Sequence, residues 1–151
     1  MDPEYKRLGN IQITDLISAE QAAYDSEVES VMKELSSRGE TPYWIPSGAS
    51  THPLGGLGYA RFAFELAEQE RQMNVYFDTV ILPCAGGSTL GGMVAGFKLV
   101  EKTAAEGSHK QRKIIGVDVF AGPPGDSETR ILQITRTAAT KIGLEESDIQ
   151  E

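Results

Sequence analysis

Between Thr79 and Phe97 the chain reads TVILPCAGGSTLGGMVAGF, and this stretch constrains its fold more than any other. The β-branched run from Thr79 to Leu82 predicts a strand that stops at Pro83. Small residues from Ala85 to Thr89 predict a tight loop, and the apolar stretch from Leu90 predicts a helix. A strand, a glycine turn and a helix N-terminus in that order build an anion site. The N–H groups of the first helical turn have no intrahelical acceptor, and the helix dipole adds partial positive charge. Gly86 and Gly87 permit positive φ and a close approach of backbone to ligand. The hydroxyls of Ser88 and Thr89 can each donate one more hydrogen bond. These residues read as a phosphate cup. They read equally as a Ser-capped turn with no ligand.

The loop is none of the commoner glycine motifs. A Walker loop needs Gly-Lys-Ser/Thr, and no lysine occurs between Lys33 and Lys98. Gly86, Gly87, Gly91 and Gly92 do not fit the spacing of the dinucleotide fingerprint. A nucleophile elbow needs a glycine two residues after its serine, where this chain has Leu90.

The net charge of −8 makes nucleic acid and anionic membranes poor partners. The single cysteine, Cys84, excludes an internal disulfide framework and fits a reducing compartment. Its position between strand and loop predicts a small buried residue rather than a catalytic thiol. His52 and His109 are far apart with no metal-ligand cluster, so no metal is expected. The N-terminus lacks a signal-peptide pattern, and no apolar run approaches the about 20 residues of a membrane span. The cytoplasm is the expected location.

Elsewhere, Leu8 to Ala23 has loosely helical spacing. Ser26 to Leu35 predicts a helix capped by Asp25 or Ser26 and ended by Gly39. Tyr43 to Ile45, between two prolines, predicts a short strand. A glycine- and hydroxyl-rich loop runs from Ser47 to Gly58, and Tyr59 to Met73 predicts an amphipathic helix with Phe62, Leu66 and Ala67 at core spacing. A strand is expected over Val75 to Leu82. The helix over Leu90 to Lys102 carries Gly91, Gly92, Ala95 and Gly96, small enough to pack closely on a sheet. Thr103 to Gln111 reads as a polar loop. Lys113 to Phe120 predicts a strand buried on both faces, and Ala121 to Gly125 a turn. Asp126 or Ser127 is expected to cap a last helix with Ile131, Ile134 or Thr135, Ala138 and Ile142 inward and Gly143 at its end. Alternating strands and helices predict an α/β fold: a parallel sheet with flanking helices in three layers, with the two strands parallel neighbours joined through the helix at Leu90.

Two strings go beyond a generic phosphate cup. One is Tyr43 to Tyr59, YWIPSGASTHPLGGLGY; the other is Cys84 to Phe97, CAGGSTLGGMVAGF. Together they closely resemble the 1-aminocyclopropane-1-carboxylate deaminases and, more broadly, their D-cysteine desulfhydrase relatives. These are pyridoxal-phosphate enzymes of the tryptophan-synthase β-subunit fold type. Leu8 to Gln12 and Ile115 to Asp118 add weaker matches in the right order. The resemblance implies pyridoxal 5′-phosphate as cofactor. It implies that Ala85, Gly86, Gly87, Ser88 and Thr89 hold the cofactor phosphate, and that Gly48 lies beside the cofactor ring and substrate. His52 matches a family histidine, for which a structural role is expected. Residues 1–46 would be a remnant of the family's small domain and 47–151 part of its large cofactor-binding domain. The implied reaction opens the cyclopropane ring and deaminates a small amino-acid substrate to 2-oxobutanoate and ammonia. A homodimer is left open.

The departures from the family are equally specific. Its Schiff-base lysine lies in an Asn-Lys motif followed by Arg-Lys, and no such string occurs here. The lysines are 6, 33, 98, 102, 110, 113 and 141. The family's Ser-Asn-Gln substrate loop and acid–base tyrosines also have no counterpart, so the chain looks like a middle slice of such an enzyme. Thr51 stands where the deaminases usually have Asp. Ala85 and Gly86 replace a bulkier pair, and Ser18 to Asp25 looks shortened. Three readings remain: a deaminase-type lyase, a phosphate- or cofactor-binding module without catalysis, and an interaction-only remnant. No catalytic residue is assigned.

Overall fold

The computed structural model describes residues 9–20, 27–104, 110–119, 122–123 and 125–150. The chain divides into two compact units, one up to Ile45 and one from Pro46 onward. The first contains α1 (Asn10–Leu16) and α2 (Val28–Ser37). The helical stretch expected over Leu8 to Ala23 is only these seven residues in its described part, and Ile13 and Leu16 are exposed. Asp25 and Ser26 lie outside the described residues. Gly39, at φ +82°, ends α2 as expected: its N–H donates to Ser36, and the Glu40 N–H reaches back to Leu35. Tyr43 to Ile45 forms no strand. Among the described residues it has no ladder partner, and β-propensity without a partner fixes nothing.

The second unit orders α3 (Leu57–Met73), β1 (Thr79–Cys84), α4 (Ser88–Thr103), β2 (Lys113–Asp118) and α5 (Asp126–Lys141). It is an α/β arrangement with a small parallel sheet and flanking helices. β1 and β2 pair in parallel, from Thr79 opposite Lys113 to Cys84 opposite Asp118, and α4 is the crossover between them. β1 begins four residues later than expected, because Val75 to Asp78 forms a link rather than ladder. It also continues through Pro83, which an edge strand tolerates. β2 is not buried on both faces: Val117 is 51 % exposed and, on β1, Ile81 is 66 % exposed. Alternate residues Leu82 and Cys84 are buried under Leu90, Met93 and Phe97 of α4, so one face of the sheet carries the core. Phe120 and Ala121 lie outside the described residues.

α4 is the centre of the unit. Its bulky residues face the sheet side, where Phe97 meets Phe62 of α3 edge-to-face at 6.4 Å. Its small residues therefore do not pack on the sheet, as their spacing had suggested, but admit the neighbouring helices. A Cβ at Gly92 would lie 2.9 Å from Tyr59 Cβ, and one at Gly91 2.9 Å from Ile134 Cγ2 of α5. A Cβ at Gly96 would collide with the Ala60 carbonyl oxygen of α3. Gly96→Val is accordingly expected to destabilise the unit by about 3 kcal/mol, because helix backbones must separate to admit it. Gly58→Ala, whose Cβ meets nothing within 4 Å, is expected to be neutral or stabilising by about 0.5 kcal/mol. Thermal denaturation of both variants checks the contrast.

The start of the sheet is fixed by a buried ion pair. Arg112, just before β2, holds Glu70 of α3 through Nη1–Oε1 at 3.0 Å and Nη2–Oε2 at 2.8 Å. The same carboxylate accepts the Phe77 N–H at 2.8 Å, pinning the approach to β1. The guanidinium lies over the rings of Phe97 and Tyr76, at 4.5 and 4.7 Å from their centroids. Burial alone would raise the Glu70 carboxyl. The bonds from Arg112 and Phe77, with the charges of Arg112 and Lys110, outweigh it and hold the carboxyl below its ordinary value. Among the described residues no helix is long and apolar enough to cross a membrane.

Candidate functional site

β1 delivers the glycine loop at its C-terminal end, where parallel α/β sheets bind ligands. The Cys84 carbonyl accepts the Val119 N–H at 3.1 Å, closing the ladder just before the loop. The chain then turns through Ala85, Gly86 and Gly87 into α4, which starts at Ser88, two residues earlier than expected. Gly87 takes φ +99°, and a Cβ there would lie 3.1 Å from Ile131 Cγ1 of α5. Both the backbone conformation and the space demand glycine.

Among the described residues, no carbonyl or side chain accepts from the N–H groups of Gly86, Gly87, Ser88 and Thr89. The Ser-capped turn does not form either: α4 has no side-chain cap, and among the described residues the hydroxyls of Ser88 and Thr89 have no hydrogen-bond partner. Ser88 and Thr89 are half-buried. The result is a cluster of donors without acceptors at a helix N-terminus, the electrostatic complement of a phosphate.

The loop before α3 closes over this cluster. Ser47–Ala49 is a single 3₁₀ turn in which Gly48 takes φ +68°, and Ala49 follows at φ +46°. An alanine in that region is uncommon and marks a backbone held by its surroundings. The Ser50 hydroxyl donates to the Gly48 carbonyl at 3.5 Å, and its side chain occupies the space where a Cβ on Gly86 would go. Gly48 and the phosphate loop, distant in sequence, therefore meet through Ser50. His52 Nδ1 accepts the Leu54 N–H at 3.2 Å and so shapes the turn that leads into α3, in line with its expected structural role.

α5 covers the other flank. It starts after Gly125, at φ +89°, with no side-chain cap, so neither Asp126 nor Ser127 caps it. The Ser127 hydroxyl instead donates to the Asp118 carboxylate at the end of β2. One turn on, Arg130 Nη2 donates to the Ala85 carbonyl at 3.1 Å. Arg130 borders two cavities, of about 330 Å³ with Ser50, Ala85 and Gly86, and of about 530 Å³ with Ser50, His52 and Gln133. Cys84 is buried as its sequence position suggested. Burial first, and the Asp118 carboxylate second, push its thiol above the ordinary value, with Arg130 pulling the other way. A thiol held protonated is a poor nucleophile. Sequence reasoning assigned no role to Ser50 or Arg130. Ser50 lies within the family-like string, but the signature of Arg130 is that of any helix-surface arginine.

The described lysines of this unit lie away from the loop. Lys98 and Lys102, ten and fourteen residues along α4 from Ser88, are about 15 and 21 Å down the helix axis. They pair with Glu101 at 3.2 Å and Asp148 at 2.7 Å. Lys110 sits over the Tyr76 ring at 4.8 Å, and Lys113 opens β2 at the far end of the sheet. Lys141 closes α5, fifteen residues from its start.

A parallel α/β unit with an open donor cluster between strand and helix has the geometry that can hold a phosphate. The chain belongs to the pyridoxal-phosphate dependent enzyme family, whose model matches residues 4–150. It is 36 % identical to a probable 1-aminocyclopropane-1-carboxylate deaminase of Cryptococcus neoformans var. neoformans serotype D, over 97 % of this chain and 44 % of that one. It is 38 % identical to the 1-aminocyclopropane-1-carboxylate deaminase of Mesorhizobium japonicum and 40 % to that of Burkholderia ambifaria, each over 95 % of this chain and 42 % of the relative. The chain thus spans less than half the length of the curated relatives it matches.

Proposed function

We propose that the unit from Pro46 onward is the phosphate-holding part of a 1-aminocyclopropane-1-carboxylate deaminase-like site. The observation that carries this reading is the set of four N–H donors at Gly86 to Thr89 with no acceptor among the described residues. They fit the phosphate of pyridoxal 5′-phosphate, the cofactor of the family. Ser88 and Thr89 have hydroxyls without a partner among the described residues to add to it, and Ala85 fixes the loop to α5. Gly48, at the mouth of the same loop, presents backbone without a Cβ where the cofactor ring would lie. When bound, this cofactor supplies an electron sink beside the α-carbon of an amino acid. The chain's own residues bind and orient the phosphate end; Cys84, held protonated, takes no part.

The lysines favour a second element of the proposal: this polypeptide holds the cofactor without a covalent bond. No described lysine of the unit lies at the loop end of the sheet, and reach is the first requirement for such a bond. The substrate class proposed is a small amino acid, the cyclopropane amino acid of the relatives' names first and D-cysteine second. Location in the cytoplasm is part of the same proposal. An absorbance spectrum of the chain with pyridoxal phosphate, before and after borohydride, tests it. The expected result is a cofactor spectrum perturbed by binding, with no pyridoxyl group retained on the protein after reduction and denaturation. A spectrum identical to free cofactor contradicts the phosphate site. A reduced adduct mapped to one lysine contradicts the non-covalent reading.

A further inference from the structure

Arg130 has more donors than its contacts use. Its two hydrogen bonds both come from Nη2, to the Ala85 carbonyl at 3.1 Å and to Ser127 Oγ at 3.4 Å. Its Nε–H is buried and has no partner among the described residues. Among the described residues no carboxylate forms an ion pair with it, whereas Arg38, Arg71 and Arg112 each hold one. Arg136 also has a buried Nε without a partner among the described residues, but it borders neither cavity at the loop. Leaving a guanidinium half-buried, against a backbone carbonyl and facing two cavities, is unfavourable unless an anion completes it.

The local charges sharpen the point. Asp126 borders the same 330 Å³ cavity as Ala85 and Gly86, and Asp118 lies one hydrogen bond away through Ser127. A dianionic phosphate brought to this end of the sheet meets two carboxylates as well as the loop amides. Four neutral N–H donors and a helix dipole of about half a charge do not balance that field. A cation on the loop's own wall offsets part of it.

We propose that Arg130 is the cationic partner of the phosphate held at Gly86 to Thr89, and that its bond to Ala85 sets the loop's aim. This rests on the phosphate site proposed above. Arg130 acts through charge and through Ala85, so lysine in its place should recover part of the effect and a neutral side chain none.

The test is a titration of the 151-residue chain with inorganic phosphate, followed by NMR at the Gly86–Thr89 amides and at the Arg130 Nε–H of the unmodified protein. Both sets of signals are expected to move along one binding curve. Arg130→Gln is expected to weaken phosphate about 10- to 100-fold, as loss of a hydrogen bond to a charged group does. Arg130→Lys should fall between. Amides that move while the Arg130 Nε–H does not overturn the role of Arg130 and leave the loop site standing. Amides that stay still while Nε–H moves overturn the pairing, since the anion then sits elsewhere on the arginine. If neither moves, the phosphate site itself fails. The unmodified protein gives the decisive reading even if Arg130→Gln does not fold.

Discussion

Arg112→Met is expected to destabilise the unit from Pro46 onward by about 3–5 kcal/mol, the cost of leaving one buried partner of an ion pair uncompensated. The partner is Glu70, whose side chain is 7 % exposed and whose carboxylate would keep, among the described residues, one hydrogen bond, from the Phe77 N–H. The double variant Glu70→Leu with Arg112→Met is expected to recover most of that loss, because an apolar pair of similar volume requires no desolvation of charge. Chemical denaturation of the two variants separates a charge effect from a packing effect. Equal instability of both would place the importance of Arg112 in its stacking on Phe97 and Tyr76. The pair also sets an acid limit. Since the folded Glu70 carboxyl lies below its ordinary value, its contribution is present above the unfolded carboxyl's pKa of about 4.3 and is lost as pH falls through the lower folded value. Melting temperature should therefore drop on the acid side of pH 4, and less steeply in the double variant.

The second large effect is on chemistry. The chain assayed by itself is expected to release no 2-oxobutanoate from 1-aminocyclopropane-1-carboxylate above background. Positioned acid–base groups each contribute about 10²- to 10⁴-fold in rate. In this unit Lys98 and Lys102 face carboxylates well down α4, and Lys113 stands at the opposite end of β2 from the loop. Sustained turnover that disappears on changing one lysine to alanine would show that a lysine reaches the cofactor after all.

How much of this was legible depends on what fixes each feature. α3 and α4 could be read because their period and glycine pattern are local. The parallel pairing followed from two strands with one helix between them. The start of β1 could not be read. Val75 to Phe77 looks as strand-like as Thr79 to Leu82, and only the reach of Glu70 and Arg112 across 42 residues makes it a link. Tyr43 to Ile45 has strand propensity and no partner. The exposed face of β2 was misjudged because an apolar run shows what could be buried, not what covers it. At the site, Ala85 to Thr89 and Gly48 carry their meaning in glycine spacing and family-like strings. Ser50 and Arg130 reach the loop through contacts 36 and 45 residues away in sequence, to Gly86 and Ala85, which no local pattern announces.

The central claim is that the donor cluster at the end of β1 is where a pyridoxal phosphate is held. Diffraction from crystals of the chain grown with pyridoxal phosphate tests it most directly. The account predicts phosphate density within hydrogen-bonding distance of the Gly86, Gly87, Ser88 and Thr89 nitrogens, with the ring toward Gly48. The cavity of about 590 Å³ at the other end of the unit, bordered by Lys98, Lys110 and Arg112 and by Glu70, Glu101 and Asp148, is the competitor. Phosphate density there, with the Gly86–Thr89 nitrogens bare, would contradict the account.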